Sequence, residues 1–238
     1  MLDESAVDRA LVICAHPDDV DFGAAGTVAT WTDKGIAVTY CLVTDGDAGG
    51  FDPSVPRDHI GPIRRREQTN AAAAVGVKDL VFLGYPDGRL VASLDLRRDL
   101  SRVIRQVRPQ RVLIQSPVRN LDRLFASHPD HLAAGEASIC AIYPDARNEF
   151  TFVELMAEGH EPWAAAETWI MAGTTPNVYV DVTAQLDRKF EALRAHESQH
   201  RDPDGMEARV RGWLAATAEQ ADLPAGRSAE AFQVIETA

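Results

Sequence analysis

The sequence predicts an α/β fold: a Rossmann-like, mostly parallel sheet sandwiched by helices, with a short antiparallel addition in the C-terminal third. Three observations predict it. Short apolar runs recur at residues 11–15, 37–43, 79–83 and 111–115, each the length of a strand buried on both faces. Stretches of helical character separate them, the rhythm of a parallel sheet. The first run stops at His16-Pro17-Asp18-Asp19, leaving polar side chains at the carboxyl end of a strand, where open α/β sheets place their ligands.

Each element has a local reason. Pro17 has no N–H for a sheet and biases His16 away from helix, so the chain turns there. Gly23 and Gly26 are read as leading into a helix that runs to Lys34. Strand 37–43 ends in the polar, glycine-rich loop 44–50, and 51–60, with Pro53 and Pro56, reads as irregular. A helix over 63–75 stops at Gly76. Leu96, Leu100, Val103, Ile104 and Val107 share one face of a helix over 95–107, and Pro109 ends it. Pro129 suits the first turn of a helix that continues over 130–142. In the last third, 167–171 and 177–182 read as two strands antiparallel to each other, followed by helices over 183–200 and 205–221. No repeat or long linker appears, so one domain is expected over 1–238.

Composition narrows the function classes. Hydrophobic residues make up 45% of the chain, enough for a full core. The net charge is −12, and the one basic block is Arg64-Arg65-Arg66, which argues against nucleic acid and anionic membrane as partners. The start shows no secretory signal, and no apolar stretch is long enough to span a bilayer. Cys14, Cys41 and Cys140 lie apart in apolar surroundings and read as reduced thiols of a cytoplasmic protein. Cys14, two residues from His16, is also a candidate soft ligand.

The chemistry concentrates at two places. One histidine beside two adjacent aspartates at a strand end is unfavourable unless a cation compensates it. His16 and Asp19 can both reach one ion across the turn, and catalytic zinc usually takes three protein ligands plus water. Residues 127–131, Ser-His-Pro-Asp-His, offer a third. The alternatives are a capping histidine, turn aspartates, and a plain first helical turn.

Two His-Pro-Asp tripeptides in this order make the sequence resemble the PIG-L / LmbE-like family of zinc-dependent N-acetylglucosaminyl deacetylases, in its bacterial, mycothiol-deacetylase-related branch. The carrying motifs are Ala15–Asp19 and His128–His131, supported by Gly23/Gly26, Arg64-x-x-Glu67 and Asp87-Gly88. The resemblance implies His16, Asp19 and His131 as metal ligands, with zinc as the usual ion and iron(II), cobalt or manganese compatible with the same donors. It implies Asp18 as general base, His128 facing the substrate carbonyl, and Asp130 orienting His128. Arg64 and Asp87 are the implied sugar contacts; a solvated basic face and a turn aspartate are their plainer readings. The mycothiol-type enzymes carry a tyrosine two residues before the second motif, where this sequence has Ala126 beside Phe125.

The expected function is thus a metal-dependent hydrolase removing an N-acetyl group from an N-acetylated amino sugar or glycoconjugate. Water is activated by the metal and by Asp18, and a protonated His128 stabilises the oxyanion. A homo-oligomer is expected, because relatives assemble. The alternatives are an amidase acting on a larger amide conjugate, and a non-catalytic ligand-binding α/β protein using Gly23–Gly26 as a phosphate turn. Asp21 is expected to support the site from behind, Asp45 and Asp47 to fold their loop, and Arg147 and Asn148 to lie near the pocket. Trp163, Trp169 and Trp213 read as core or interface. His196 and His200, four apart on an expected helix, resemble a metal pair but read better as solvent-facing or capping residues.

Overall fold

The β-branched and aliphatic runs do form the sheet. A computed structural model describes all 238 residues. Its strands are β1 (Arg9–Cys14), β2 (Ala37–Thr44), β3 (Asp79–Tyr85), β4 (Arg111–Gln115), β5 (Glu167–Met171), β6 (Val178–Asp181) and β7 (Ala229–Glu236), in the order β3-β2-β1-β4-β5-β7-β6. β1 to β5 are parallel. β1 is central, and its alternation supplies both faces: Val12 and Cys14 enter one core, Leu11 and Ile13 the other. Cys14 therefore shares a core with Val20 and Ala24 and belongs to neither group of side chains close enough to hold an ion, and burial, with a further push from Asp19, drives its thiol well up.

The helices cover both faces. α1 (Asp19–Asp33), α2 (Arg57–Ala74) and α6 (Leu186–Arg194) lie on one; α3 (Leu94–Val107) and α4 (Pro129–Cys140) lie on the other, with a short α5 (Glu154–Ala157) beyond them. α7 (Pro203–Gln220) packs on the C-terminal strands. No helix is long and apolar enough to cross a membrane.

Four readings change. α1 begins at Asp19, so Gly23 and Gly26 lie inside it and form no phosphate turn. Packing explains Gly26: a Cβ there would come within 2.6 Å of Val182 Cβ. α2 begins at Arg57 and carries Pro62 within it, so 57–62 is helix and not irregular chain. β5 and β6 do not pair with each other. β7, unforeseen, lies between them and is antiparallel to both. Finally, α6 ends at Arg194, so His196 and His200 flank a short 3-10 turn and are not a helical pair.

A buried ion pair ties β4 to β5. Arg111 Nε donates to Glu167 Oε1 at 2.6 Å, both side chains are 1% exposed, and the guanidinium sits against Trp31 and Trp169. Burial raises the Glu167 carboxyl, but the N–H groups of Leu2, Trp169 and Arg111 outweigh it and hold it below its ordinary value. A depressed carboxyl stabilises the fold above its unfolded pKa of about 4.3 and loses that stabilisation as the pH falls through the folded value. Arg111→Leu leaves the carboxylate buried without its partner and is expected to cost about 3–5 kcal/mol at neutral pH in urea melts. The deficit should shrink under acid, as Glu167 protonates.

Candidate active site

The chain order decides where the site lies. From β1 the chain builds outward through β2 to β3, then crosses back to β4 on the other side of β1. The carboxyl ends of β1 and β4 therefore flank a topological switch point. Both motifs emerge there: His16–Asp19 from β1, and 127–131 after β4. The strand ends are pinned together, since Ala15 N–H donates to Gln115 Oε1 at 2.8 Å, and the Thr44 N–H and hydroxyl donate to Ala15 O. Gly135 lets α4 sit directly on the end of β4; a Cβ there would lie 2.5 Å from Gln115 O.

Three side chains converge, through two imidazole nitrogens and both carboxylate oxygens of Asp19. His16 Nδ1 lies 3.3 Å from His131 Nε2 and 3.3 Å from Asp19 Oδ2, and His131 Nε2 lies 2.9 Å from Asp19 Oδ1. Ligands 2.0–2.2 Å from one tetrahedral ion stand about 3.3–3.6 Å apart, so each of these spacings lies within a few tenths of an ångström of what an ion shared by the two imidazoles and the Asp19 carboxylate requires. The outward nitrogens are anchored as metal-binding histidines require. His16 Nε2 faces Asp87 Oδ1 at 3.1 Å and Asp130 Oδ2 at 3.2 Å, and His131 Nδ1 faces Ala126 O at 3.3 Å. Two other groups have donor atoms close enough to hold an ion: His16 with His128 and His131, and His16 with Asp87 and Asp130.

Charge explains the packing. Burial opposes the imidazolium of His16, yet Asp19, Asp130 and Asp87 outweigh it and push the ring up to about 12. Burial likewise opposes ionised Asp19, but His131 and His16 pull it well below its ordinary value. A metal ion at these nitrogens would have to displace their protons.

Asp130 corrects one expectation. Its buried carboxylate accepts from Gly88 N–H at 2.7 Å and Leu90 N–H at 3.2 Å, and faces His16. It orients His16, not His128. His128 instead caps α4, its Nδ1 accepting the Asp130 N–H at 3.2 Å. Its neutral ring then carries the proton on Nε2. Burial lowers its pKa, and the neighbouring His16 and His131 lower it further.

Asp18 stands beside this cluster in a strained backbone state, φ 90° and ψ −26°, uncommon for a residue with a side chain. Gln68 Oε1 holds its N–H at 2.8 Å. Arg64 Nη2 reaches both Pro17 O and, at 3.0 Å, Asp18 Oδ2, while Arg64 Nη1 donates to Gly46 O. Arg64 is buried, so it is no solvated basic face. Burial raises the Asp18 carboxyl to about 6, against the pull of Arg64 and with a further push from Asp19.

A model of the family "PIG-L: GlcNAc-PI de-N-acetylase" matches residues 11–142. The chain belongs to this family of hydrolytic deacetylases. The diacetylchitobiose deacetylase of Thermococcus kodakarensis is 34% identical over 193 residues, 81% of this chain and 70% of that one. A probable N-acetyl-alpha-D-glucosaminyl L-malate deacetylase of Bacillus anthracis is 31% identical over 79% of this chain and 80% of its own. The solved N,N'-diacetylchitobiose deacetylase of Pyrococcus horikoshii superposes with a TM-score of 0.89 at 28% identity, covering 97% of this chain and 85% of that one.

Several side chains of this PIG-L family member are placed where sequence alone did not put them. Asp21 does stand behind the site, where its Oδ2 accepts from Gln68 Nε2 at 2.9 Å and meets His196 Nε2 at 2.8 Å. His196 is therefore fully buried and not solvent-facing. Gln68 and Gln115 were missed as supports; a glutamine inside a helix or ending a strand carries no local signal of its role. Asp45 and Asp47 pair with Arg65 and Arg57. Arg147 lies elsewhere, its Nη2 donating to Thr237 O at 2.6 Å.

Proposed function

We propose that this chain hydrolyses the N-acetyl group of a small N-acetylglucosamine-containing molecule, with His16, Asp19 and His131 holding a divalent ion, zinc in the first instance. The observation that carries the proposal is the convergence of His16 Nδ1, His131 Nε2 and the two Asp19 carboxylate oxygens at spacings of 2.9–3.3 Å, with the Asp18 carboxylate next to them and held by Arg64. A divalent ion there would lower the pKa of a water toward about 7 and polarise the amide carbonyl.

The chain's own residues do the rest. Asp18 accepts the proton of the attacking water as general base. His128 presents its Nε2–H to the carbonyl oxygen as negative charge develops. Asp18 then returns the proton to the departing amine, so that acetate and a free amino sugar leave. Asp130 and Asp87 keep His16 oriented. Asp87 retains lone pairs for a sugar hydroxyl and is the stronger of the two proposed substrate contacts. The contacts of Arg64 support positioning of the base more directly than sugar binding.

The test is a panel of N-acyl amino sugars and larger amide conjugates, read by amine release. N-acetylglucosamine derivatives should be cleaved, chelator-treated protein should be inactive, and zinc should restore it more fully than iron(II), cobalt or manganese. Cleavage of larger amides alone would establish the amidase reading instead.

A further inference from the structure

A second feature borders the same cluster. A cavity of about 340 Å³ has Asp18, Asp19 and His131 at its inner end and Phe22 and Met171 along its wall. At its mouth stand Phe125, from the loop before the second motif, and Trp213, from α7. These two rings stack, with centroids 5.7 Å apart and planes at 16°, yet they are 62% and 42% exposed. The Arg123 guanidinium lies 5.4 Å from the Phe125 ring and 5.9 Å from the Trp213 ring, holding the pair in place. The opposite flank of the cluster is different in kind: the Asp87 and Asp130 carboxylates and the Gly88 and Leu90 amides present no flat apolar surface.

We propose that the Phe125–Trp213 stack is a carbohydrate platform that receives the second sugar ring of a substrate whose acetylated ring occupies the cavity. The proposal rests on the deacetylase reading above. Size sets the division: the cavity lies at the small end of ligand sites, about 300–1,000 Å³, room for one pyranose with its acetamide at the ligand cluster. Anything attached to that ring emerges over the aromatic pair. A pyranose with equatorial hydroxyls carries its C–H bonds on its two faces. Laid on an aromatic plane it buries apolar area while its hydroxyls stay in water.

The experiment compares N-acetylglucosamine, its β-linked N,N'-diacetyl disaccharide and N-octanoylglucosamine in the parent, Trp213→Ala, Trp213→Phe and Phe125→Ala. The ratio of kcat/KM for disaccharide over monosaccharide should fall about tenfold in Trp213→Ala, as truncation of an aromatic anchor does. The fall should lie in KM, and Trp213→Phe should recover most of it. Chelator-treated parent protein should show tryptophan quenching on titration with the disaccharide, and Trp213→Phe should not, because Trp31 and Trp169 are buried and Trp163, bonded to Pro109 O, does not line the cavity. An unmoved ratio with no quenching overturns the platform while leaving deacetylation intact. A kcat loss equal on both sugars makes the stack a structural tie between loop and helix. A loss confined to the octanoyl substrate makes it an acyl site. Failure to release acetate from any sugar refutes the deacetylase reading, and the quenching titration still decides the platform.

Discussion

Asp18→Asn is expected to lower kcat by about 10²–10⁴-fold, the usual contribution of a positioned general base, while the protein keeps its metal. Asparagine preserves the shape and can still accept the hydrogen bond that Arg64 Nη2 gives to Asp18 Oδ2 at 3.0 Å. It cannot take a proton from water. The donor set contains no atom of Asp18, so the ion stays. The turn also stays, because the Asp18 N–H is held by Gln68 and its carbonyl accepts the first N–H groups of α1. Acetate release and metal analysis on the same preparation check both halves. Parent-like turnover would remove Asp18 from the mechanism; loss of metal would move it into the ligand set.

His131→Ala is expected to abolish both metal and activity. It deletes the nitrogen that stands 2.9 Å from Asp19 and 3.3 Å from His16, leaving two ligands of three. Loss of an outer partner typically costs 10–100-fold in metal affinity, so loss of a ligand should cost more than about 100-fold. The variant should emerge from dialysis without metal, and added zinc should not raise its melting temperature. For the parent, zinc at about a hundred times its Kd should stabilise by ~2.7 kcal/mol. His128→Ala is the contrast. Its ring is outside the proposed ligand set, so the variant should keep stoichiometric metal and lose turnover. Retention of metal by His131→Ala would shift the ion to the group formed by His16, Asp87 and Asp130.

The legibility of this molecule follows the range of its interactions. The parallel strands are local events: an apolar run flanked by turn residues is buried on both faces whatever lies beyond it, and β1, β2, β3, β4 and β5 stand within a few residues of their expected places. β7 had a local pattern too, with Phe232 and Val234 alternating inward. Its insertion between β5 and β6 depends on partners more than fifty residues away in sequence, as the pairing of Phe232 with Met171 and Val178 shows. Gly23 and Gly26 misled because glycine serves turns and close packing equally, and only the approach of Met171 to Gly23 and of Val182 to Gly26 decides which.

The site divides in the same way. The two His-Pro-Asp motifs, the chemistry of their donors and their family were legible in the chain itself, because residue type and short spacing suffice to specify them. What each side chain does there was decided by the tertiary structure. Asp130 turns to His16 and away from His128 because the amides of Gly88 and Leu90, on the loop after β3, fix its carboxylate. Arg64 reaches Asp18 because α2 packs beside the β1 turn, and His196 is drawn into the interior by Asp21. Hydrogen bonds and charge pairs act over about 3 Å, and only the folded chain brings such distant residues that close.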